Sequence, residues 1–167
     1  MLLCILGKSC SGKTTFVNHL EKKYGIKRVV TTTSRPMRDG EIDGIDYHFV
    51  TREDANNSIK NGEFIEFAEY KVANKDTWIY GTKISDIDTS KTSLIVLNPI
   101  GYKKLKSIYK DEVLCLYIKP SFMKRMFRAL KRDGLKNIKQ TLVRIKNDYR
   151  DFKNIDADII IKDFKLK

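Results

Sequence analysis

Residues Gly7 to Thr14, GKSCSGKT, follow the pattern G-x-x-x-x-G-K-T, and every fixed position in it has a chemical reason. Backbone N–H groups can converge on a phosphate only where side chains keep out of the way, which Gly7 and Gly12 allow. A helix that starts at the end of the loop adds its positive pole to the same spot. Lys13 can reach the terminal phosphates of a nucleotide held there, and the Thr14 hydroxyl is suited to a magnesium ion bridging them. Apolar residues Leu2 to Leu6 lead into the loop, and Phe16, Val17 and Leu20 follow it at helical spacing. Strand, glycine-rich turn and helix thus come in the order that a triphosphate-binding loop requires. Its expected nucleotide contacts are Gly7, Lys8, Ser9, Cys10, Ser11, Gly12, Lys13, Thr14 and Thr15, with Thr14 also on the metal.

Such a loop needs a sheet to hold it. The short apolar runs LLCIL, IKRVV, SLIVL, EVLCLYI and ADIII alternate with amphipathic helical stretches. That alternation predicts an α/β fold with a five-stranded parallel sheet covered by helices on both faces. Residues 31–90 differ: they contain YHFV and the alternating FIEFAEY, which reads as a half-buried antiparallel strand, so this region is expected to be an insertion folded over the core. Thr51 followed by Asp54 marks a helix start, and Gly62 marks its stop. On a helical wheel of 121–132, Met123, Met126, Phe127 and Leu130 gather on one side, with Arg125, Arg128 and Arg132 roughly opposite. In 135–150, Leu135, Ile138, Leu142, Ile145 and Tyr149 form a stripe that leaves Arg144 and Asp148 facing away. The basic KRDGLKN between these helices, at 131–137, is predicted to be a mobile hairpin that closes over the triphosphate as a lid.

The 167 residues are expected to make one domain with a sizeable core. No apolar run approaches membrane-spanning length and no basic leader precedes an apolar stretch, so a cytoplasmic protein is expected. Cys4, Cys10 and Cys115 lack metal-type spacing and predict neither a disulfide framework nor a zinc site. Net charge is +12, and all of it falls in residues 91–167, which carry 20 Lys+Arg against 8 Asp+Glu. Lysines at the polar positions of amphipathic segments supply most of it, so a solvated face is expected and no specific nucleic acid. The nine arginines say more, because arginine grips phosphate as a rigid multi-donor fork.

At 31–50 the segment TTTSRPMRDGEIDGIDYHFV resembles the guanylate kinase family, whose pattern here is close to T-T-R-x-x-R-x-G-E-x-x-G-x-D-Y-x-F. Arg35, Arg38, Gly40, Glu41, Gly44, Asp46, Tyr47 and Phe49 fit it without gaps. Together with the phosphate loop and NGEFIEFAE, the resemblance runs over almost the whole chain and is strongest from 1 to 83. It implies ATP-dependent phosphoryl transfer to GMP or dGMP with Mg2+, on a core at 1–30, 91–123 and 141–167, an acceptor-binding lobe at 31–90 and a lid at 124–140. It also implies that Arg35, Arg38, Tyr47 and Tyr80 hold the acceptor phosphate. The chemistry agrees, since a dianionic monophosphate needs several donors in one geometry, and two arginines three apart with a phenol nearby supply them.

For the base, the resemblance implies Thr31, Glu66 and Thr82. The family's D-x-D-x-Q-G, aligned on Gly101, adds Asn98, where VLNPIG puts Val96 and Asn98 in place of two aspartates. Arg128, Arg132 and Arg144 match arginines of the family's lid and following helix, and with Lys13 and Arg38 they form the implied catalytic set. Asn98 and a lengthened KVANKDTWIYGT leave open a kinase for another nucleoside monophosphate or a phosphosugar. A catalytically silent protein-binding module of the same fold is the reading from another class. Oligomeric state is not legible in the residues.

Overall fold

Parallel strands buried on both faces should be apolar throughout, and the strands around the phosphate loop are. In the computed structural model, which describes residues 1–71, 76–133, 138–162 and 164 (backbone alone for 132–133, 138–142 and 144), β1 spans Leu2–Gly7. It lies between β6 (Ser93–Val96) and β7 (Val113–Ile118), with β8 (Ile159–Ile161) beyond β7, and every pairing is parallel. Leu2, Cys4 and Leu6 face one side with Ile95, Val113 and Cys115. Tyr102 and Leu105 of α3 (Pro99–Tyr109) complete that cluster. Ile5 faces the other side with Leu94 and Ile118, where Val17 of α1 (Lys13–Tyr24) covers it.

The expected five strands are corrected to four among the described residues. The run IKRVV docks beside β6 through a single bridge, Arg28 to Leu94, with Val29 N–H donating to the Leu94 carbonyl at 2.7 Å. It stops there because Arg28 turns back onto α1, where its guanidinium pairs with Glu21, and because Thr32 is already committed to a second sheet.

That second sheet orders β3 (His48–Phe49), β2 (Thr32–Thr33), β5 (Thr77–Lys83) and β4 (Phe64–Lys71). β4 and β5 run antiparallel, with Glu66 opposite Thr82, Ala68 opposite Tyr80 and Tyr70 opposite Trp78. Alternation therefore puts Glu66, Ala68 and Tyr70 on one face, and burial follows, because Phe67, Glu69 and Lys71 are exposed. α2 (Arg52–Lys60) starts where the sequence signals it: the Asp54 N–H donates to the Thr51 hydroxyl at 3.1 Å, and Gly62 at φ +68° ends it.

α4 (Phe122–Asp133) and α5 (Ile138–Asp151) bracket the remaining segment. Of the hairpin expected at 131–137, residues 131–133 belong to α4 and the rest lies outside the described residues. α4 buries Arg125, which is 8% exposed, and leaves Arg128 exposed, while Met123 and Phe127 on the apolar side are 73% and 71% exposed. Among the described residues no helix is long and apolar enough to cross a membrane.

Candidate active site

β1 ends at Gly7 and α1 begins at Lys13, so the residues between must reverse direction tightly. Gly12 does so at φ +97°, and Cys10 lies at φ +60°, in the left-handed region that non-glycine residues seldom adopt. Such a conformation costs about 1–3 kcal/mol and persists only where the surroundings over-determine it. Neighbours on both sides do that here. The Ser9 N–H and hydroxyl donate to the Asp148 carboxylate at 2.9 and 3.2 Å, and Arg128 Nη1 donates to the Ser11 carbonyl at 2.7 Å. A Cβ on Gly7 would meet Ser11 Oγ at 2.4 Å and the Ile118 carbonyl at 3.0 Å, so Gly7 is sterically required, whereas Gly12 is required by its positive φ.

Across the loop, Lys13 Nζ donates to the carbonyls of Gly7 at 2.5 Å and Lys8 at 3.4 Å. Lys8 Nζ lies over the Tyr149 ring, and Thr14 and Thr15 are exposed at the start of α1. No group of three His, Cys, Asp or Glu residues able to hold a metal occurs among the described residues. Magnesium ordinarily keeps its waters and binds through substrate phosphates with one or two protein oxygens, so the exposed Thr14 hydroxyl beside the loop fits that ion.

The second sheet gathers a different set. Arg35 is 3% exposed, and its Nη2 donates to both oxygens of Glu41 at 2.8 and 2.9 Å. Its guanidinium sits 5.6 Å over the Tyr47 ring and 5.5 Å over Phe49. The Arg38 N–H donates to the same Glu41 carboxylate at 2.8 Å. Burial pushes the Glu41 carboxyl up, but the Arg38 N–H and the Arg35 fork outweigh it and hold the group below its ordinary range. Tyr47 meets Tyr80 edge-on at 6.0 Å. Arg35, Tyr47 and Tyr80 are therefore neighbours, and Arg38 is tied to the same place by its backbone N–H on Glu41.

Further along the same sheet, Glu66 is 5% exposed and accepts a hydrogen bond from the Thr82 hydroxyl at 2.7 Å. Burial is the main influence on its carboxyl and pushes it up, opposed by the Thr82 hydrogen bond and by Lys104. Gly101 lies against it so closely that a Cβ would come 2.5 Å from Glu66 Oε2. Thr31 is half-buried beside β2, and its carbonyl accepts from the His48 N–H.

Asn98 turns both ends of its amide to protein. Oδ1 accepts from the Gly101 N–H at 2.8 Å as the N-cap of α3, and Nδ2 donates to Tyr70 Oη at 3.0 Å. Tyr70, absent from the residues expected above, thus carries Asn98's polar reach onto the face that holds Glu66. Its phenol is pushed up to about 12, chiefly by burial. Four-residue spacing from Glu66 on an alternating strand was the available signal. Arg125 and Asp148 were missed as well; each lay off the apolar side of its helix, and nothing in the sequence said that they meet. The side chains of Arg132 and Arg144 lie outside the described residues.

The family model described as guanylate kinase matches residues 1–167. A guanylate kinase of Chlorobium luteolum is 32% identical over 151 residues, spanning 86% of this chain and 74% of its own. One of Helicobacter hepaticus is 29% identical over 170 residues, spanning 97% and 82%. The crystal structure of guanylate kinase from Anaplasma phagocytophilum aligns with a TM-score of 0.67 at 27% identity, covering 99% of this chain and 78% of that one.

Proposed function

Because the chain belongs to the guanylate kinase family of ATP-dependent nucleoside monophosphate kinases, we propose that it moves the γ-phosphoryl of ATP to GMP or dGMP through the residues described above. The observation that carries this reading is the pairing of an intact phosphate loop with a separate sheet. That sheet and its neighbouring loop gather Arg35, Tyr47 and Tyr80, with the Arg38 N–H on the same Glu41 that Arg35 holds, and set Glu66 with Thr82 further along.

Transfer between two phosphates needs little covalent help, so the protein's work is alignment and charge neutralisation. Lys13 exchanges the loop carbonyls for phosphate oxygens. Arg35, already fixed by Glu41, and Arg38 hold the GMP phosphate with the two tyrosines, so that one of its oxygens faces the γ-phosphorus in line. Glu66 accepts from the guanine edge, assisted by Thr31 and Thr82, while Asn98 acts through Tyr70. The Thr14 hydroxyl with phosphate oxygens would hold Mg2+, which when bound spreads the charge of the triphosphate. Arg128, Arg132 and Arg144 stabilise the charge that spreads over the transferring group. In this reading residues 31–90 form the acceptor lobe and 124–140 the lid, over a core of 1–30, 91–123 and 141–167. The cytoplasm, where ATP and GMP are both at hand, is the compartment it assigns.

Two consequences can be measured. Arg132→Ala is expected to lower kcat more than it raises the GMP KM, since its contact is made chiefly in the transition state; a pure KM effect would remove it from the catalytic set. Asn98→Asp keeps an α3 cap but adds charge beside Tyr70 and is expected to widen the preference for GMP over IMP, which lacks only the exocyclic amine. An unchanged ratio would show that Asn98 has no part in reading the base, and a narrowed one that the added charge works against the amine. The reaction itself is tested by supplying ATP labelled at the γ position with GMP: label is expected in GDP, and label released only as inorganic phosphate would overturn the proposal.

A further inference from the structure

Ser9 of the phosphate loop is held on three sides by an ion pair whose own residues are not among the expected nucleotide contacts. Arg125 of α4 and Asp148 of α5 lie 3.2 Å apart, with side chains 9% and 11% exposed. Asp148 accepts from both the N–H and the hydroxyl of Ser9, and Arg125 Nη1 also points to the Ser9 carbonyl at 3.4 Å. Every polar group of Ser9 is therefore directed at this pair, and Ser9 precedes the left-handed Cys10 on which the shape of the loop turns.

We propose that Arg125 and Asp148 are positioning residues for the triphosphate, acting through Ser9 to keep the loop pre-formed. This rests on the reading above that the loop holds ATP. Two physical points support it. A flexible loop that must be ordered by its ligand binds more weakly than one already in shape, and the N–H and hydroxyl of Ser9 are fixed here by charge-assisted hydrogen bonds in a buried setting. Asp148 also brings a carboxylate close to a loop built for anions, which would repel the triphosphate unless neutralised, and Arg125 neutralises it. The same pair joins α4 and α5, the helices on either side of 134–137, to one residue of the loop. The position of those helices and the shape of the phosphate site are therefore linked.

The test measures ATP affinity by calorimetry, and the KM values for ATP and GMP, in Arg125→Met, Asp148→Asn and the double variant, with thermal unfolding of each. Arg125→Met leaves Asp148 charged beside the phosphates and is expected to weaken ATP binding by about tenfold or more, within the range of coupling found for contacting groups. The GMP KM is expected to move less than about twofold, because the side-chain hydrogen bonds of the pair among the described residues run to each other and to Ser9, away from the acceptor lobe. Asp148→Asn keeps an acceptor for Ser9 and removes the repelling charge, so its loss is expected to be smaller, and the double variant is expected to bind ATP better than Arg125→Met alone. Should Arg125→Met fail to fold, the near-isosteric Asp148→Asn carries the test, its ATP KM rising while its GMP KM stays. Unfolding temperatures that fall while ATP affinity stays at the wild-type value, or ATP and GMP KM values that rise together, would overturn the proposal. A wild-type protein that binds no ATP would overturn the function itself, which separates the two failures.

Discussion

Lys13→Ala is expected to lower kcat by about 10²–10³ while the protein keeps its fold, because a preorganised donor at a site of developing charge commonly contributes that much. Lys13 Nζ spans the mouth of the loop, held by the carbonyls of Gly7 and Lys8. Phosphate oxygens that take the place of these neutral carbonyls bring the lysine a charge-assisted hydrogen bond. Alanine at the first residue of α1 is the best helix former available, so the helix itself should not suffer. Steady-state kinetics beside thermal unfolding would check both halves. A folded variant that retained more than half of the wild-type kcat would show that the lysine does not act on the transferred group.

Glu66→Gln is expected to cut kcat/KM for GMP by about 10²–10⁴, more than any single change at Thr31 or Thr82. Guanine offers two donors, N1–H and the exocyclic amine, and one carboxylate can accept both. Glutamine keeps a single acceptor oxygen and turns a donor toward a donor, leaving a buried N–H unpaired. Adenine carries an acceptor at N1, so the same variant is expected to narrow the preference for GMP over AMP.

Stability should move the other way. The raised carboxyl of Glu66 in the folded protein means that the unfolded chain releases this proton first as pH rises. Ionisation therefore counts against the fold from the ordinary carboxylate range upward, and fully so above the raised folded value. Glutamine escapes that cost, so the variant is expected to unfold at a higher temperature than the wild type at neutral pH, with the gap closing as the solution is acidified below the carboxylate range. A variant both less active and less stable at neutral pH would mean that Glu66 serves the fold, not the base.

The parts of this site that could be read in advance are those where local chemistry dictates residue type. The turn from β1 to α1 was legible because a tight reversal at Gly7 and Gly12 tolerates few other residue types, and the alternation in FIEFAEY was legible because one face of β4 is buried. IKRVV misled because an apolar run does not say whether its neighbours will let it pair; Arg28 and Thr32 drew the chain off after one bridge. Asn98 was set at the base by its place in a pattern, yet its amide is used by the cap of α3 and by Tyr70, partners 3 and 28 residues away. The Ser9–Asp148 contact joins residues 139 apart, and no local periodicity carries that information. Arg125 and Arg128 share one side of α4 on the wheel, but that they would reach the carbonyls of Ser9 and Ser11, with Met123 and Phe127 left outside, follows only from the contacts they make with the loop.

The central claim, that the loop delivers phosphate to a guanine nucleotide held on the second sheet, is tested most directly by one coupled ADP-release assay. ATP is supplied as donor, and GMP, dGMP, IMP, AMP, CMP, UMP and dTMP are each supplied as acceptor, with kcat/KM measured for each. GMP and dGMP are expected to lead, with AMP behind by about 10⁴ or more, as befits a buried carboxylate that would face an acceptor atom. AMP or a pyrimidine monophosphate outperforming GMP would contradict the assignment of Glu66 and its neighbours to guanine, and ADP release that no acceptor stimulates would contradict the transfer reaction itself.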